Sequence, residues 1–69
     1  MKPHDNLTHA LTAYVEAEEA LTTHWALAAT RTLTLEETQP LVKRADETRR
    51  AYADALKAAG YAVPYGLDR

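Results

Sequence analysis

At 69 residues and 7.7 kDa, the chain holds a single small domain, residues 1–69, and has no room for a two-domain enzyme. It contains no cysteine, which excludes a disulfide framework and thiolate metal sites and leaves association as the ordinary reinforcement for so small a core. A net charge of −2 and a pI near 5.8 remove the overall attraction that draws basic domains to nucleic acid or acidic membranes.

The apolar share, 46%, is made mostly of fourteen Ala and nine Leu, with four Tyr, one Trp and no Phe, a composition that favours helix. The N-terminus Met1-Lys2-Pro3-His4-Asp5-Asn6 has no apolar run behind its charge, so no secretory signal is expected. The longest polar-free stretch, Trp25 to Ala29, is far short of the roughly 20 apolar residues of a membrane span. These features predict a cytoplasmic protein with no membrane partner.

In chain order, Leu7, Leu11, Tyr14, Leu21, Trp25 and Ala28 recur at helical spacing, with Glu18 as the one charged interruption. Asp5 or Asn6 reads as the N-cap, and no Gly or Pro follows until Pro40, so a first helix is predicted over about residues 6–29. The β-branched Thr30, Thr32 and Thr34 end it. Thr34-Leu35-Glu36-Glu37 then has the pattern of a capping box, which opens a second helix over about 35–59. Pro40 falls in its first two turns and predicts either a kink or a later start near Thr38. Gly60 is a natural left-handed terminator, with Tyr61 placed to touch Leu56. Beyond it, residues 60–69 carry Pro64 and Gly66 and predict an extended C-terminal arm.

The second helix has its own apolar stripe, Val42, Ala45, Arg49, Tyr52, Leu56 and Ala59, again with one charged interruption. A chain folded back at residues 31–34 opposes positions whose numbers sum to about 66 or 67. Trp25 then meets Val42, Tyr14 meets Tyr52 and Leu11 meets Leu56, while the two interruptions, Glu18 and Arg49, meet as a structural ion pair. The expected fold is therefore all-α, an antiparallel helical hairpin. The acidic Glu16, Glu18 and Glu19 opposite the basic Lys43, Arg44, Arg49 and Arg50 agree with it, although each exposed pair contributes only about 0–1 kcal/mol.

Beside its stripe the first helix carries a second face of small residues, Ala10, Ala13, Ala17 and Ala20, with His24 and Leu27. A lone hairpin covers one stripe per helix, so this face is a candidate interface through which two hairpins form a homodimeric four-helix bundle. Val63, Tyr65 and Leu67 of the arm are further candidate interface residues, folded back on the hairpin or across to a partner.

Few residues are spaced for chemistry. His4, Asp5 and His9 cluster in the first turn, but a zinc site needs three or four converging ligands and His24 lies four turns away. A solvated first turn, with Asp5 near the positive helix end, explains them better. His24 reads as a half-buried packing residue beside Trp25, and Tyr14 with Tyr52 as ordinary core aromatics. No triad spacing and no glycine-rich phosphate loop is present, so the reading is a protein without catalytic, metal or cofactor sites. It is that of a small interaction module, dimerising or adapting, that offers a helical surface to a protein partner. The alternative is a nucleic-acid-associated regulator with Lys43, Arg44 and Arg50 on phosphates. Against it, those residues are interleaved with Asp46, Glu47 and Asp54, and the second helix is too long and continuous for a helix-turn-helix.

Overall fold

A computed structural model of the chain describes residues 3–67, with side chains from residue 5 onward. Two helices, α1 (Pro3–Ala26) and α2 (Leu35–Ala58), pack against each other as an antiparallel hairpin, and there is no strand among the described residues. The hairpin is elongated, 43 × 21 × 17 Å.

Helix α1 begins at Pro3, earlier than the Asp5 or Asn6 cap predicts, because proline at a first helical position sacrifices no intrahelical bond and brings its φ preset. At the other end the α-helix stops at Ala26, and Leu27–Ala29 tighten into a 3-10 turn. The Leu27 carbonyl accepts from the Thr30 amide at 2.9 Å, the Arg31 amide at 3.0 Å and the Thr30 hydroxyl at 3.0 Å. Threonine thus ends the helix by giving its carbonyl an alternative donor.

The capping box of α2 is formed. The Glu37 amide donates to the Thr34 hydroxyl at 3.2 Å, and the Thr34 amide donates back to the Glu37 carboxylate at 3.3 Å. Helix α2 starts at Leu35 and continues through Pro40, so the later start near Thr38 does not occur. The carbonyl that Pro40 leaves without a helical donor belongs to exposed Glu36, where water serves. At the C-terminus the Tyr61 amide reaches the Leu56 carbonyl at 2.9 Å and the Gly60 amide reaches Lys57 at 3.1 Å. With Gly60 at φ +87°, this is a Schellman motif.

The seam differs from the predicted one. On α1 the buried and half-buried positions include Leu7, Ala10, Tyr14, Ala17, Leu21 and His24; on α2 they include Thr38, Leu41, Ala45, Thr48, Tyr52 and Ala55. Both sets alternate steps of three and four, as in a coiled-coil seam. Leu11, Trp25 and Val42, expected inside, lie at its edge with exposures of 40%, 49% and 43%. Small residues at the contact let the two backbones approach closely, and the larger side chains of the neighbouring row are pushed to the flank. Tyr14 and Tyr52 stack as the register predicts, with centroids 5.7 Å apart and planes at 18°. At the loop end, however, His24 faces Thr38 and not a residue near Val42, a difference of one helical turn.

The arm is not extended throughout. It closes a β-turn at Pro64–Leu67, the Leu67 amide donating to the Pro64 carbonyl at 3.1 Å, with Gly66 at φ +87°. It then lies against its own α2, where Arg49 donates to the Gly66 carbonyl at 3.2 Å and Val63 and Leu67 are half-buried. Ala53 and Leu56, which follow Arg49 along the same side of α2, retain 0% and 8% exposure.

Candidate interaction surface

A two-helix seam leaves two flanks. On one flank lie the residues that follow the inward Ala10, Ala17 and His24 of α1, which are Leu11, Glu18 and Trp25, together with those that follow Leu41, Thr48 and Ala55 of α2, which are Val42, Arg49 and Leu56. The arm is held on this flank at Arg49. The rest is open: Trp25 keeps 49%, Val42 43% and Leu35 70% of their surface in water toward the loop end, and Val15 of α1 keeps 44%. Leu35 and Val42, with Gln39 and Asp46, line a shallow groove along the first turns of α2.

The opposite flank carries the small residues. Ala10 and Ala13 of α1 line a groove with Ala51, Ala55 and Ala58 of α2. Of the interface residues predicted from the sequence, Ala17 and His24 are buried in the hairpin seam, at 5% and 6% exposure, and present no free face. This corrects their placement, and the reason is the one-position rotation of α1 toward its alanines. Ala10 and Ala13 are half-buried, while Ala20 and Leu27 remain exposed. In the arm, Val63 and Leu67 pack in cis and Tyr65 stands 91% exposed.

The predicted Glu18–Arg49 ion pair does not form. Arg49 turns to Asp46, three residues earlier on its own helix, and to the Gly66 carbonyl. Asp46 also holds Arg50 at 3.2 Å. A neighbour one turn away on the same rigid helix has little entropy left to lose, whereas Glu18 must be reached across the seam. Among the described residues no salt bridge reaches half-buried Glu18, which lines a shallow hollow with Tyr14, Val15 and Thr22. The i,i+3 and i,i+4 spacing of Asp46 to Arg49 and Arg50 is the signal from which the observed cluster follows.

The same local pairing occupies the basic residues assigned to phosphate. Lys43 lies 3.9 Å from Glu47 and Arg50 is held by Asp46; Arg44 is exposed. Around the turn, Arg31 grips Glu37 in a two-pronged pair at 2.6 and 3.1 Å. That guanidinium, with the hydroxyl and amide of Thr34, holds the Glu37 carboxyl at about 2, well below the usual carboxylate range.

Asp5 and His9 stand exposed on the first turns of α1, and His4 lies outside the described side chains. Among the described residues no three His, Asp or Glu side chains converge as metal ligands would, and no helix is long and apolar enough to cross a membrane. Compared with known proteins, the chain matches no family model, no curated protein and no solved structure.

Proposed function

We propose that this chain is a small protein–protein interaction module, without catalytic machinery, whose hairpins associate into a four-helix bundle in the cytoplasm. The observation that carries the reading is the imbalance between what the hairpin buries and what it exposes. Among the described residues the buried apolar side chains are Ala17, Ala45, Ala53, Ala55 and Leu56, and the largest of them, Leu56, still keeps 8% of its surface exposed. The single Trp and several branched side chains stay at the surface. A folded monomer of 7.7 kDa is expected to expose about 4,300 Å². The hairpin exposes 5084 Å², an excess of about 750 Å², close to the roughly 800 Å² that each partner of a standard interface buries.

Sedimentation equilibrium across micromolar concentrations tests the reading. A mass of two chains, accompanied by a cooperative melt whose midpoint rises with concentration, supports it. A monomeric mass with a concentration-independent melt refutes it. The nucleic-acid alternative has less support, since Lys43 and Arg50 already neutralise Glu47 and Asp46. It predicts binding to duplex DNA at low salt that weakens steeply as salt rises.

A further inference from the structure

We infer that the partner surface is the open flank formed by Leu11, Val15, Trp25, Leu35 and Val42, that its occupant is the same flank of a second copy, and that the Ala groove on the opposite side stays in water. The inference rests on the self-association reading above and adds where the contact lies. Three observations carry it.

First, five of the eight exposed large apolar side chains, Leu11, Val15, Trp25, Leu35 and Val42, share this flank, while Leu27 stands on the alanine side. The opposite groove is floored by alanine and bordered by Asn6, His9 and Asp54, so it offers far less apolar area to bury. Second, the flank continues a contact that already exists. Leu35, Val42, Arg49 and Leu56 repeat every seven residues along one row of α2, and the arm is already held on that row at Arg49. An apolar layer over the first two extends the same row. Third, the charges match a two-fold arrangement. Within one hairpin, Glu18 and Glu19 of α1 stand at the axial level of Lys43 to Arg50 of α2, because Tyr14 opposes Tyr52 and His24 opposes Thr38. A two-fold axis parallel to the hairpin, with both loops at the same end, keeps those levels. It lays the acidic middle of each α1 beside residues 43–50 of the second copy's α2, where four basic side chains outnumber Asp46 and Glu47 by two, and half-buried Glu18, which no salt bridge reaches within its own chain, gains a net positive neighbour. The α1–α1 and α2–α2 alternatives bring like charges together, which costs affinity.

The test uses the full chain and its one tryptophan. At concentrations where the wild type has the mass of two chains, acrylamide should quench Trp25 much less than its 49% exposure in a single hairpin implies. Free quenching of Trp25 in the dimer overturns the inference without any variant. Val42→Glu and Val15→Gln, at positions already exposed in one hairpin, should each halve the mass at concentrations where wild type is dimeric. Ala51→Glu, in the opposite groove, should leave it unchanged. If Ala51→Glu dissociates the dimer and Val42→Glu does not, self-association stands and this placement of the interface fails. A wild type monomeric at every concentration removes both.

Discussion

Nε2 of His24 lies 2.9 Å from Oγ1 of Thr38 and ties the last turn of α1 to the start of α2. The Thr38 hydroxyl has one proton and donates it to the Thr34 carbonyl at 2.8 Å, so its oxygen accepts from the imidazole N–H, which defines the Nε2–H tautomer. A histidine at 6% exposure is thereby satisfied without a charged partner. Replacing Thr38 with Val leaves that N–H buried and unpaired, and the expected loss is about 1–3 kcal/mol of unfolding free energy in urea titrations. Thr38→Ser should retain most of the stability. Equal stability of the Val and Ser variants would show that the bond contributes nothing.

The clasp at the turn predicts an acid limb. Glu37 is held at about 2 by Arg31 and Thr34, below its value in the unfolded chain, so its contribution is complete above roughly pH 4.5 and is lost as pH falls toward 2. Melting temperatures of the wild type should decline across that window. Glu37→Gln should melt lower than wild type at pH 7 and converge with it near pH 2. A difference between the two proteins that stays constant over the window would contradict the assignment.

Arg49 and Glu18 should behave as strangers. Because Arg49 serves Asp46 and the Gly66 carbonyl, the Glu18→Ala and Arg49→Ala losses should add within about 0.5 kcal/mol in the double variant, measured on the monomer at high dilution. Arg49→Ala should also loosen the arm. Amide exchange at Leu67, whose N–H closes the Pro64 turn, is expected to rise in Arg49→Ala and to stay at the wild-type rate in Glu18→Ala.

The stacked Tyr14 and Tyr52 are expected to be coupled. In a double-mutant cycle to Ala, the double variant should lose about 0.5–1.5 kcal/mol less than the sum of the single losses, the usual worth of an aromatic pair beyond its buried area. Coupling near zero would mean that the rings are adjacent without a preferred geometry.

Gly60 terminates α2 in a conformation that L side chains adopt at a cost. Gly60→Ala meets no atom within 4 Å, so its expected loss of about 1 kcal/mol is backbone strain alone. Calorimetry on the variant, compared with an exposed Ala within a helix such as Ala20 changed to Gly, separates this local strain from a general effect of composition.

What the sequence determined by itself is local. The capping box at Thr34 and Glu37, the threonine exit from α1, the Schellman stop at Gly60 and the fold-back between residues 30 and 34 each depend on a few adjacent residues whose side chains and backbone satisfy one another, and all are legible as spacing. The Tyr14–Tyr52 contact followed from those boundaries, because a hairpin of two helices joined by a short turn has nearly one register. Tertiary structure alone decided the rotation of each helix about its axis. Leu11, Trp25 and Val42 compete with Ala10, Ala17, His24 and Thr38 for the seam, and the two rows differ by a single position. Size favours the first row by apolar area; close approach favours the second, and that balance depends on the facing helix. The same rotation separated Glu18 from Arg49 and left Arg49 to hold the arm through the Gly66 carbonyl. It also moved the large apolar surface to the flank opposite the alanines, where the interface is now placed.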